Sequence, residues 1–195
     1  MLKQLKYLWQ DLDRWAYSKK LPIVFIWLVI FIYPATWAIM IYRMGRLINS
    51  IPIKSIRILL KIPYYIVKRL LCESFLSIDI SDGADIGPGF YIAHSGAIVI
   101  GTGVKAGKNF SIRQGVTCGG SGNKGLSHPY IGDDVVLAAG VKVIGNVSIG
   151  NNVIIGANAV VTKDIPSNAR AVGIPAKVIN YEGSYGINIR ESWKY

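Results

Sequence analysis

Two histidines occur in this chain of 195 residues, and both stand where an imidazole could act on something. His94 lies in "FYIAHSGAIVIG", an apolar run punctuated by glycine, and His128 lies in "GGSGNKGLSHPYIG", which has the composition of a loop. An imidazole titrates near neutral pH, so a histidine whose tautomer is fixed by a partner is suited to general base work. Strand alternation would aim His94 inward, two positions after Ile92, unless a turn intervenes. "HSG" supplies that turn, which predicts His94 at a corner, facing out. Cys72 and Cys118 show neither metal-ligand spacing nor a disulfide framework and read as packing residues in a reducing compartment. Cys118 stands near the glycine loop, but no basic cluster beside it would lower its pKa enough to make a nucleophile.

The elements that must hold these side chains repeat every six residues. Ile80, Ile86, Ile92, Ile98, Val104, Phe110 and Val116 keep that step, and Ile131, Leu137, Val143, Ile149, Ile155 and Val161 resume it. Neither a helix, with period 3.6, nor an alternating strand, with period 2, places isolated aliphatics in this way. A hexapeptide parallel β-helix does: each short strand points one aliphatic inward, small residues turn the chain, and three strands make a coil. Coils then stack at the spacing of strands, about 4.8 Å. The jump from Val116 to Ile131 is not a multiple of six, so a segment over 117–130 is expected to leave the coil as a loop. Its glycines suit close approach to a ligand.

The first third of the chain has a different texture. Residues 1–77 carry 12 Lys and Arg against 3 Asp and Glu, and residues 78–180 carry 8 against 6. The cations are interleaved with Ile, Leu, Trp and Tyr, which points to an anionic membrane surface and away from nucleic acid. Residues 21–42 are uncharged, long enough for one transmembrane helix at about 20 residues, but broken by Pro34. Five cations precede the run and five follow it, so charge names no orientation and favours both ends on one side. A segment dipping into one leaflet, or helices lying in the interface, satisfies that balance better than a single span. Residues 51–71 read as a basic amphipathic helix interrupted near Pro63, either on the membrane or packed on its own domain with a solvated basic face.

The ordered set "SIDISDGADIGPGFYIAHSGAIVIG", "SIRQGVTCGG", "SHPYIG", "IGANAVVTKDIP" and "AVGIPAKVI" closely resembles the serine O-acetyltransferase family of hexapeptide-repeat acyltransferases, over about residues 78–180. The resemblance implies a left-handed parallel β-helix, a homotrimer with acetyl-CoA between neighbouring subunits, and acetyl transfer to a hydroxyl without a metal. Carried over by position, His94 matches the catalytic base, Asp79 the carboxylate that orients it, and His128 a second histidine reaching towards the acceptor. Gly119 and Gly120 match the backbone that lines the thioester. Lys177 resembles a cation near the phosphates of CoA, with Lys163 and Arg170 as weaker candidates. A zinc hydratase site on such a β-helix would need three histidines, one more than the chain has.

The departures shape the expected acceptor. The family's serine enzymes carry an Asp before the first histidine and an Arg before the second, where this chain has Ala93 and Ser127. A zwitterion needs opposite charges to replace its lost hydration. That loss, with the basic N-terminal region, suggests the branch that acetylates sugars of colanic acid, capsule or O-antigen, often lipid-linked, on the cytoplasmic face of a bacterial inner membrane. Serine O-acetyltransferase and a non-catalytic membrane-tethered scaffold are the alternatives. The expected organisation is therefore a helical, membrane-associated region over 1–77, a β-helix over 78–180, and a tail over 181–195 that caps the open end or stays disordered.

Overall fold

The computed structural model describes residues 2–22, 25–122 and 128–184. The first coil contains β1 (Ile78–Ile80), β2 (Asp85–Ile86) and β3 (Tyr91–Ile92), and the second β4 (Ile98–Ile100), β5 (Lys105–Ala106) and β6 (Ser111–Ile112). The third contains β7 (Thr117–Gly119), β8 (Tyr130–Ile131) and β9 (Val136–Leu137), and the fourth β10 (Lys142–Ile144), β11 (Ser148–Ile149) and β12 (Ile154–Ile155). The last coil has β13 (Val160–Val161), one bridge at Ile165, and β14 (Arg170–Val172); β15 (Lys177–Asn180) then turns back antiparallel on β14. Stacking produces three sheets, one per side of a triangular prism: β1-β4-β7-β10-β13, β2-β5-β8-β11 and β3-β6-β9-β12-β14-β15. Every six-spaced aliphatic is at most 3% exposed, so the predicted row is the core of a parallel β-helix.

The register reveals an insertion that the six-residue period conceals. Ile78 pairs with Ile98, Asp85 with Lys105 and Tyr91 with Ser111, 20 residues apart, whereas Val99 pairs with Thr117, 18 residues on. All the wide pairs straddle the corner between β3 and β4, which places two extra residues beside His94. The period survives because each strand sends two side chains inward, at i and i+2. The aliphatic row passes from the Ile80 position to the Ile98 position without an apparent break. The second insertion is the loop, where Lys105 pairs with Tyr130, 25 residues on. Because β7 holds Thr117–Gly119, that loop opens at Gly120 and closes before Tyr130, shorter than the 117–130 expected.

The N-terminal region folds as α1 (Leu2–Ser18), α2 (Ile26–Ile32), α3 (Ala35–Asn49) and α4 (Lys54–Val67), followed by a π-helical segment, Lys68–Phe75. Pro34 divides the uncharged run as expected, but the second half does not enter lipid: Ala35, Ala38, Ile39, Ile41 and Tyr42 join the same buried core as the first coil. Among the described residues no helix is long and apolar enough to cross a membrane. Pro63 does not interrupt α4, which runs on to Val67.

Buried polar groups dock the helices onto the first coils. Arg43 on α3 donates from Nε to Asp11 Oδ2 of α1 at 2.7 Å, and its Nη atoms donate to the carbonyls of Ile86 at 2.7 Å and Gly87 at 2.6 Å. Asp11 also accepts from the Phe90 amide at 2.8 Å, and both side chains are almost fully buried. Arg14 donates to the Gly89 carbonyl and, at 2.7 Å, to Ser111 Oγ. The Tyr42 hydroxyl donates to the Ala84 carbonyl and accepts from the Ile86 amide, both at 3.0 Å. Four side chains thereby satisfy the backbone of the corners on either side of β2.

Of the two readings of the basic helix, the orientation of α4 excludes the one with a solvated basic face. Lys61 turns inward to Asp82 at 2.9 Å, Tyr64 is buried, and Lys68 turns inward to Asp79 at 2.7 Å. Ile56, Ile58, Leu59, Leu60, Ile62 and Ile66 face out, each at least 40% exposed. The polar stripe, not the apolar one, meets the domain. The reading of a solvated basic face is therefore inverted.

Removing one partner of a buried ion pair strands the other charge. Arg43→Met is expected to cost about 3–5 kcal/mol, read as a lower urea midpoint for loss of helical circular dichroism. An unchanged midpoint would show that the Asp11–Arg43 pair does not hold the helices in place.

Candidate active site

His94 occupies the inserted corner between β3 and β4, on the edge shared by the third and first sheets. The corner is pinned on both sides: the Ala93 amide donates to the Ile112 carbonyl at 2.9 Å, and the Gly96 carbonyl accepts from the Gly115 amide at 2.8 Å. Gly96 (φ 114°) and Ala97 (φ 50°) turn the chain in the left-handed region, leaving the imidazole exposed, as predicted. A cavity of about 300 Å³ opens beside it, lined by Lys19, Tyr91, Ala93, Ser111 and Arg113 among others. A second cavity, of about 310 Å³, also touches His94 and is lined by Trp15, Tyr33, Ala93 and Ser95. The helical layer supplies one wall of both.

Asp79 lies in the middle of β1 on the outer side of the first sheet, half exposed, with the Lys68 ammonium 2.7 Å from Oδ1. Burial opposes the Lys68 charge, but Asp79 and Glu73 outweigh it and hold the ammonium above its ordinary pKa. Among the described residues no hydrogen bond joins Asp79 to His94. The partner of Asp79 within the chain is Lys68, which sequence reasoning placed only on a basic helical face.

His128 precedes β8, at the opposite edge of the first sheet from His94. Its ring lies on Gly103: a Cβ there would come within 2.3 Å of His128 Cδ2, and Gly103 has φ 86°. Only glycine admits the imidazole at that distance. Its buried Nδ1 has no hydrogen-bond partner among the described residues. The two histidines occupy different corners of the prism, so the chain alone does not bring them together over one substrate.

Gly119 ends β7, where a Cβ would meet nothing within 4 Å, and Gly120 opens the excursion. Ser127 lies outside the described residues. Lys163 and Lys177 are exposed on the last coil and on β15. Arg170 is engaged elsewhere: Nε donates to the Gly183 carbonyl at 2.8 Å and Nη1 pairs with Glu182 at 2.6 Å, so it straps the segment after β15. Tail residue Ser184 runs back along the coils to Asn152 and the Asp134 carbonyl, while residues 185–195 lie outside the described residues. Cys118 is fully buried, and burial pushes its thiol up to about 12. It stays protonated at neutral pH and faces the core, which removes it as a nucleophile.

Lys19 and Arg113 are the cavity residues that sequence reasoning missed. Arg113 follows β6 as Ala93 follows β3, so the register stacks it directly on Ala93. The strand register could have found Arg113, had the insertion been legible. Nothing in the sequence places Lys19, at the end of α1, against the first coil.

Residues 128–163 match the family described as bacterial transferase hexapeptide (six repeats). The serine acetyltransferase of Helicobacter pylori strain J99 is 39% identical over 157 residues, covering 78% of this chain and 85% of that protein. That of Staphylococcus aureus strain Mu50 is 47% identical over 123 residues, covering 61% of this chain and 58% of that protein. The chain thus spans under two thirds of its staphylococcal relatives. Among solved structures, the Neisseria gonorrhoeae serine acetyltransferase superposes with a TM-score of 0.76 at 31% identity, over 93% of this chain and 67% of that one. The Brucella abortus serine acetyltransferase in complex with coenzyme A superposes at 0.76 and 29% identity, over 91% of this chain and 68% of that one. These relatives overturn the expectation of a sugar acceptor and of the polysaccharide branch, which rested on Ala93, Ser127 and the basic N-terminal region. A parallel β-helix of hexapeptide repeats, a histidine on an inserted corner, and a 39%-identical relative matched over most of its length place this chain among the hexapeptide-repeat acyltransferases, in the serine acetyltransferase family.

Proposed function

We propose that this chain transfers an acetyl group from acetyl-CoA to the hydroxyl of serine, working as a homotrimer of left-handed β-helices. The observation that carries this reading is the exposed His94 imidazole, held on an inserted corner at the mouth of a cavity. His94 takes the proton of the acceptor hydroxyl as that oxygen attacks the thioester carbonyl. The carbon–sulfur bond breaks as the tetrahedral intermediate collapses, and the departing thiolate recovers the proton from His94. The products are the acetyl ester and free CoA. The backbone at Gly119 leaves room for a thin ligand beside the first sheet, where its amide and that of Gly120 can steady the oxyanion. Lys163 and Lys177 are cations for the phosphates of CoA. A neighbouring subunit supplies the second histidine, since the two in one chain lie at different corners.

The reading also includes a seat on the cytoplasmic face of a bacterial plasma membrane. Its support is α4, whose outward Ile and Leu are bordered by Lys54 and Arg69. Lipid is the occupant that suits a helix exposing apolar side chains over most of its circumference with cations at its ends.

Purified protein is expected to release CoA thiol from acetyl-CoA when L-serine is supplied, and release with no hydroxyl acceptor beyond water would overturn the serine reading. His94→Ala should lower that turnover by about 10²–10⁴-fold, with Cys118→Ala close to wild type; unchanged turnover in His94→Ala would remove the base. In sedimentation with vesicles, the protein should pellet with phosphatidylglycerol-rich lipid, and Leu59→Gln/Ile62→Gln/Ile66→Gln should stay in the supernatant. Wild-type protein that remains soluble with such vesicles, or a variant that loses its trimer instead, would make α4 a protein contact.

A further inference from the structure

The cavity beside His94 has a one-signed electrostatic lining. Its charged residues are Lys19 and Arg113, and among its described lining residues there is no carboxylate. Neither cation forms an ion pair with a described residue, although the helical layer around them is rich in such pairs. The Lys19 ammonium is held over aromatic faces, 4.7 Å from the Tyr33 centroid and 5.4 Å from that of Trp15. Those rings border the neighbouring cavity, so Lys19 sits where the two spaces adjoin, each also lined by Ala93 and His94. Arg113 is exposed and stacks one coil on from Ala93, whose methyl group leaves the guanidinium unshielded. Two cations lining the cavity beside a general base, with a small residue on the same wall, favour an anion beside the reacting hydroxyl.

We propose that the acceptor is recognised as a carboxylate, through Lys19 and Arg113, and that the cavity makes no demand for an ammonium group. The proposal deepens the serine reading, on which it rests for the reaction, and it changes what counts as an acceptor. A hydroxy acid without an amino group should serve as well as serine, and an amino alcohol without a carboxylate should not. Ala93 then marks a subsite in which recognition by an acid has been replaced by recognition by a cation on the next coil.

The test follows thiol release with L-serine, 3-hydroxypropanoate and ethanolamine, using wild type, Lys19→Gln, Arg113→Gln, the double variant and Arg113→Lys. The expected result is comparable kcat/KM for the two carboxylates and at least tenfold less for ethanolamine. The double variant should raise KM for the carboxylates at least tenfold while KM for acetyl-CoA and the trimer's melting temperature stay unchanged, with Arg113→Lys recovering part of the loss. A rise in KM for acetyl-CoA instead would assign the cations to the phosphates of CoA and overturn the proposal, as would carboxylate KM values that do not move. If L-serine fails to turn over, the serine reading falls separately. Calorimetric titration of 3-hydroxypropanoate then decides the proposal: binding by wild type that the double variant loses supports it, and equal or absent binding overturns it.

Discussion

The Asp11–Arg43 pair is the constraint on which the site depends. A carboxylate and a guanidinium removed from water recover that cost only when their remaining hydrogen-bonding capacity is filled. Here it is filled by the Ile86 and Gly87 carbonyls and the Phe90 amide. The pair therefore fastens α1 and α3 at one relative position on the first coil, because any slip would leave buried charges facing nothing. Lys19, Trp15 and Tyr33 reach the His94 corner only because that layer is held there. His94 stands on the β-helix, but its surroundings are set by the helices.

Much of the fold was legible because a β-helix writes its core into the sequence at a fixed interval. Thirteen apolar residues, twelve aliphatics and Phe110, at a step of six sufficed to expect coils, and all thirteen are buried. The same regularity hid the departure that matters most. Two inward positions per strand let an insertion of two residues pass as an unbroken period, and only the 20-residue strand pairings, Ile78 with Ile98 among them, expose it. His94 was legible as a corner residue from the turn in "HSG", whereas the size of its corner was not.

The helical region was legible in composition, and its direction on the domain was left open. A basic, apolar segment permits two orientations on a domain, and the choice depends on what the domain offers. Asp79 and Asp82, on and just after β1, draw Lys68 and Lys61 inward and leave the aliphatics outside. Sequence alone could not assign those partners, since they arise where α4 and the π-helical segment meet β1 and the turn after it. The separation of His94 from His128 has the same origin. Both residues lie close in the motif order, but a triangular coil assigns them to different edges, and only the number of strands between them determines which.

The antiparallel strand β15 has a consequence for assembly. A parallel β-helix presents, at each end, a ring of backbone donors and acceptors that matches the opposite end of an identical molecule, which is a template for fibre growth. At one end of this one, the π-helical segment packs against β1. On the third sheet, the other end closes with a strand running against the coil direction, whose hydrogen bonds alternate in narrow and wide pairs where a further coil needs even, slanted ones. A second molecule cannot continue that sheet in register. At that end the third sheet therefore offers a further coil no parallel neighbour to continue.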